Sequence, residues 1–140
     1  MNRNRLMSKV GSCLMVFALI LLCSGIPTFA GTGALDGKTF SGEVGKKGDT
    51  NGMKDDLMFK EGKFRSTACD VYGFGDADYT VVTAAAAGEA ATFQAETHSP
   101  TDGTMKWVGT IKGNMLEGTT TWIREGKEPE EHWVKASLKQ

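Results

Sequence analysis

From Lys38 to Lys139 apolar and polar residues alternate in short runs, and turn residues cut the runs every 8 to 15 positions. A period of two sends successive side chains to opposite faces of an extended chain, so each run reads as a half-buried strand. Eight runs are legible: Lys38–Val44, Asp56–Lys60, Lys63–Cys69, Asp78–Ala86, Ala91–His98, Thr104–Lys112, Met115–Arg124 and His132–Lys139. Helical periodicity is absent. The nearest candidate, "AAAAGEAA" at Ala84–Ala91, is broken by Gly88 and develops no amphipathic face. The fold class is therefore all-β.

Eight consecutive strands joined mostly by short turns form a meander. Such a meander either keeps two open edges or closes into an up-and-down barrel, which removes them. The first run (Phe40, Gly42, Val44) and the last (Val134, Ala136, Leu138) both carry small or apolar residues at alternate positions, as closure requires. The expectation is an eight-stranded antiparallel up-and-down barrel, with a β-sandwich as the alternative.

The hairpins set the faces. In "TIKGNMLEGT", Gly113-Asn114 suits a two-residue turn, because both residues accept positive φ. That register opposes Ile111 to Leu116, Gly109 to Gly118, Trp107 to Thr120 and Met105 to Trp122, all on the inner face. The facing glycines predict either a sharp bend or room for a bulky neighbour. In "FKEGKF", Glu61-Gly62 is the turn and Phe59 opposes Phe64 inside. The hairpin around Ala87–Glu89 admits two registers. One turns Tyr79, Val81 and Thr83 inward, the other Val82 and Ala84.

Residues 1–30 are a different kind of chain. Arg3, Arg5 and Lys9 precede an apolar run from Cys13 to Cys23, then Ser24, Gly25, Pro27 and "TFA" ending at Ala30. This is the pattern of a secretory signal peptide cleaved after Ala30. Eleven apolar residues rise about 16 Å as a helix, short of the ~30 Å hydrocarbon core, so no stable membrane anchor is expected. The expected organisation is a signal peptide at 1–30, a short linker at 31–37 and one domain at 38–140. Sixteen basic residues less three in the leader leave thirteen against seventeen acids, a net charge of −4. That offers nucleic acid no basic footprint. Two of the three cysteines leave with the leader, so Cys69 has no intramolecular disulfide partner. The chain reads as exported, periplasmic or extracellular.

Alternate turns of a meander lie at opposite ends. The turns at Glu61-Gly62, Ala87–Glu89 and Gly113-Asn114 are short, whereas "GKKGDTNGMKD", "DVYGFGDA", "SPTDG" and "EGKEPEE" are longer and share the other end. Functional residues concentrate on such loops, and small barrels admit ligands at the mouth. Cys69, His98 and His132 converge on that rim as the metal-ligand candidates, thiolate and imidazole both suiting copper or zinc. No CxxC or HxxxH spacing supports them, and alternation turns Cys69 and His98 outward and His132 inward. An exposed Cys69 would instead link a homodimer. Asp70, Asp76 and Asp78 lack the spacing of a calcium loop. Tyr72 and Phe74, beside Gly73 and Gly75, read as an aromatic flap over the barrel mouth. Trp107 and Trp122 face inward, while Trp133 alternates with Lys135 and faces outward.

"MKWVG" and "LEGTTTW" resemble the closing strands of avidin-like and lipocalin-like barrels, the calycins. The resemblance covers about a third of the chain and concerns architecture. "LDGKTFSGEV" stands where lipocalins carry Gly-x-Trp and avidins Gly-Thr-Trp, so no named ligand is carried over. The chain also resembles small exported bacterial proteins. Together these features lead to the expectation of a non-enzymatic barrel without cofactor. It would bind a small apolar or amphipathic ligand through Tyr72, Phe74, Trp107, Trp122, Gly109 and Gly118. An envelope interaction or structural module is the alternative, and a periplasmic metal-binding protein the third reading.

Overall fold

The computed structural model describes residues 28–30, 33–83 and 90–140. The expected leader through residue 27 and the hairpin apex at residues 84–89 lie outside the described residues. The strands are β1 (Thr28–Ala30), β2 (Thr39–Lys46), β3 (Met53–Lys60), β4 (Lys63–Ser66), β5 (Ala77–Thr83), β6 (Ala91–Ser99), β7 (Gly103–Lys112), β8 (Met115–Ile123) and β9 (Glu130–Leu138). Each strand from β2 to β8 pairs antiparallel with its successor, and β9 pairs back onto β2. The result is a closed eight-stranded up-and-down barrel, as the alternation of the first and last runs requires. At the closing seam Phe40 lies opposite Leu138 and Val44 opposite Val134.

The hairpin registers follow the turn chemistry. Ile111 opposes Leu116, Gly109 opposes Gly118, Trp107 opposes Thr120 and Met105 opposes Trp122. Phe59 opposes Phe64. Glu61 and Gly62 carry φ of 53° and 73°, the two positive values of a type I′ turn, whereas at Gly113-Asn114 only Gly113 is positive, at 59°, as in type II′. In the β5–β6 hairpin Tyr79 opposes Ala95 and Thr83 opposes Ala91, so Tyr79 and Val81 are the inward pair and both are buried.

The third run ends early. The alternation continues to Cys69, but β4 stops at Ser66 and a 3-10 helix takes over at Thr67–Tyr72. The cause is Asp55 on β3, a buried carboxylate. It accepts from the Ser66 hydroxyl at 2.6 Å, the Thr67 hydroxyl at 3.3 Å and the Ala68 amide at 3.0 Å. Such side-chain acceptors offer the backbone an alternative to the sheet ladder. The helix turns Cys69 into the protein, where alternation had turned it outward. The β4–β5 seam is left with only Lys63 opposite Asp78 and Phe64 opposite Ala77. Beyond it, β5 pairs at Val81–Thr83 with β1, which holds the last three residues of the expected leader.

The interior fills from the short-turn end. Phe59 is its centre, with the rings of Tyr79 and Phe93 each 5.0 Å away, Phe64 at 5.3 Å and Phe40 at 6.1 Å. Residues 33–38 close that end. Leu35 is buried, and its amide donates to the Tyr79 hydroxyl at 2.9 Å. That hydroxyl donates to Asp36 at 2.8 Å, and Asp36 also accepts from the Gly62 amide at 3.0 Å. Within the segment expected as a linker, residues 33–37 pack against the barrel as a plug.

Candidate functional site

A cleft opens toward the other end of the barrel, where the β2–β3 loop, the 3-10 helix and the start of β9 meet. One sequence expectation needs correction here. "SPTDG" forms a tight three-residue turn, Pro100 to Asp102, not a long loop. The Ser99 hydroxyl contracts it by accepting from the Thr101 amide at 3.3 Å and the Asp102 amide at 3.1 Å.

Three tethers build the rim. On the outer face of β9, Trp133 lies across Gly45 and Gly52, where a Cβ on either glycine would strike its ring. The Trp133 indole also donates to the Asp49 carbonyl at 2.9 Å, which fastens the β2–β3 loop. The Ser99 hydroxyl donates to the Tyr72 carbonyl at 2.7 Å and holds the flap. The Trp122 indole donates to the Asp102 carbonyl at 2.6 Å, which fixes its ring at the mouth.

Trp122 organises the aromatic side. Tyr72 lies 5.3 Å from it by ring centroid and Phe74 packs edge-on at 6.2 Å. The Arg124 guanidinium stacks on it at 3.9 Å, within cation–π range. Beneath this cluster opens a cleft of about 430 Å³. Its apolar wall comes from Val44, Ala68, Cys69, Tyr72, Met105 and Trp122. The Cys69 sulfur lies 3.4 Å from the Met105 sulfur, and burial pushes its thiol up to about 11. It is thus held protonated and uncharged at neutral pH.

The polar wall is a network around Glu130. One carboxylate oxygen lies 3.0 Å from the Lys46 ammonium and 3.7 Å from the Arg124 guanidinium, the other 3.2 Å from His132 Nε2. The hydrogen bond from Lys46 is the main cause holding Glu130 below the usual carboxylate range. Three buried polar atoms nearby have no hydrogen-bond partner among the described residues: Thr120 Oγ1, Arg124 Nε and His132 Nδ1. Thr120 and His132 face each other across β8 and β9.

The expected ligand-binding residues divide. Tyr72 and Trp122 border the cleft, and Phe74 is buried behind Trp122. Trp107 belongs to the core, where its indole donates to Thr97 at 3.2 Å and its ring meets Phe64. Gly109 and Gly118 are also in the filled region, and the Phe93 ring occupies the space over Gly109. The three metal-ligand candidates are not brought together. Cys69 and His132 border the cleft, but His98 points outward with Nδ1 3.1 Å from the Thr104 hydroxyl. Among the described residues no group of three or more His, Cys, Asp or Glu side chains could hold a metal ion.

Met105, Lys46 and Glu130 were missed from sequence. Met105 carried a signal, since its register partner is Trp122. Lys46 and Glu130 lie on strand ends that extend past the alternating runs. The chain matches no protein-family profile, no curated protein sequence and no solved structure.

Proposed function

We propose that this protein is an exported, non-enzymatic barrel of calycin-like architecture that binds a small apolar or amphipathic ligand at its long-loop end. The observation that supports the reading is the cleft of about 430 Å³, apolar on one side and polar on the other. Its size and lining fall in the range of small-molecule sites, which are mostly apolar with a few placed polar groups. Export is the reading of residues 1–30, whose basic start, apolar run and "TFA" end are those of a leader.

Native mass spectrometry of protein purified from its own host tests the reading. A bound species should add to the polypeptide mass and leave on organic denaturation. Trp122→Ala, which removes one wall of the cleft, should lose that species while the far-ultraviolet circular dichroism stays unchanged. A bare polypeptide mass would sink the proposal.

A second reading, an envelope interaction module, draws on the rim itself. Val71 is 83 % exposed on the flap and Met53 is 54 % exposed at the cleft. Apolar side chains this open at one end suit contact with another protein. Cys69 does not serve that contact as the helix stands, because it is buried and a disulfide between copies would require the helix to open. Crosslinking in the native envelope, lost on Val71→Asp with the bound species retained, would favour this second reading.

A further inference from the structure

We propose that the ligand of this cleft is an uncharged amphiphile with a hydrogen-bonding head group, such as a long-chain alcohol, and that fatty-acid anions are selected against. The inference rests on reading the cleft as a ligand site and names the chemistry that site would take.

The charges at the cleft already answer one another. Lys46 is engaged by Glu130 at 3.0 Å, and Arg124 adds a second cation to the same carboxylate at 3.7 Å. The remaining charged lining residue is Asp49, an exposed carboxylate at the mouth. A ligand carboxylate entering here would meet Glu130 and Asp49, and its one lining cation, Lys46, is already paired. An ammonium would have to compete with Lys46 for Glu130. A carboxylate would leave water without a free cation, and an ammonium would find Asp49 only at the exposed mouth; either is costly. The floor offers no charge either, since it is built from Val44, Met105, Trp122 and the protonated Cys69 thiol.

The same wall is not indifferent to polar groups. His132 Nε2 lies 3.2 Å from the Glu130 carboxylate, and the other ring nitrogen, Nδ1, is buried. That atom, the Thr120 hydroxyl opposite and Arg124 Nε have no hydrogen-bond partner among the described residues, and of these three residues His132 lines the cleft. An unmade hydrogen bond of this kind is unfavourable, and a head group able both to donate and to accept can relieve the one at His132 in either tautomer. A pure hydrocarbon cannot.

The test is a titration of the purified protein at pH 7 with 1-decanol, decanoate and decylamine, which share a tail and differ in the head, followed by calorimetry. Decanol should bind about tenfold tighter than either charged analogue. Glu130→Gln frees Lys46 and Arg124 from their carboxylate, so in that variant decanoate should overtake decanol. Circular dichroism of the variant verifies that the barrel is intact. Decanoate or decylamine binding as tightly as decanol to the wild type overturns the inference and leaves the cleft as a ligand site. Binding of none of the three, together with a bare mass from the native host, overturns both readings.

Discussion

The Phe93 ring lies in the space that a side chain at Gly109 would need, so the facing pair Gly109 and Gly118 is a packing device of the core. Facing glycines in a sheet admit a bulky neighbour, and here that neighbour is an aromatic ring against the central Phe59. Gly109→Ala should therefore overpack the core and lower stability by about 1–3 kcal/mol. Urea denaturation measures it. Adding Phe93→Leu, which withdraws the ring, should make the alanine less costly than it is alone. Equal cost in both backgrounds would show that the ring is not what Gly109 accommodates.

Tyr79 ties the plug to the barrel. Its hydroxyl accepts from the Leu35 amide and donates to Asp36, at 2.9 Å and 2.8 Å. Tyr79→Phe removes both bonds and leaves a buried amide without a partner, an effect of about 1–3 kcal/mol. Asp36→Ala cuts the same network from the other side. The two substitutions should be non-additive in a double-mutant cycle, with the double variant more stable than the summed losses imply. Strict additivity would separate the plug from the tyrosine.

The hairpins were legible for a physical reason. Gly113-Asn114 fixes a two-residue turn, the turn fixes the register, and the period of two then assigns every inner residue from Met105 to Trp122. Closure was legible because the first and last runs each needed a partner. The 3-10 helix was not, since nothing between Lys63 and Tyr72 shows that Asp55, a residue of the preceding strand, will cap it. That single long-range acceptor turned Cys69 inward to the cleft wall, away from the outward-pointing His98. The cleft was legible in part. Trp122 and Tyr72 follow from register and loop composition, whereas Lys46 and Glu130 meet only because β2 and β9 run further than their alternation.

Burial of Cys69 has a pH signature. Its thiol titrates above its ordinary 9.0, at about 11, chiefly because the thiolate would be desolvated. The folded state holds that proton more tightly than the unfolded state. The corresponding stability is present below pH 9 and is lost as pH rises toward 11. Tyr79 is also raised by burial, so the wild type alone does not isolate the thiol. The difference in denaturation midpoint between wild type and Cys69→Ala should narrow over that window. A difference independent of pH would mean that the thiol titrates as if it were in water.

Asp55 should control access to the same thiol. Its carboxylate takes the Ser66 and Thr67 hydroxyls and the Ala68 amide, and with them the first turn of the helix that covers the cleft. Asp55→Ala removes the shared acceptor, at a cost of about 1–3 kcal/mol for the groups left unpaired. Opening of the helix then becomes a local event, separate from global unfolding. With an aromatic disulfide reagent at pH 8, the wild-type thiol should react slowly and Asp55→Ala about tenfold faster, while Trp107 emission stays that of the folded barrel. Hydrogen exchange at the Gly73 amide, which donates to the Asp70 carbonyl at 2.9 Å at the far end of the helix, reports the opening independently. If the Gly73 amide stays as protected as in the wild type while Cys69 becomes reactive, local loosening around the thiol, and not opening of the helix, is the route to it.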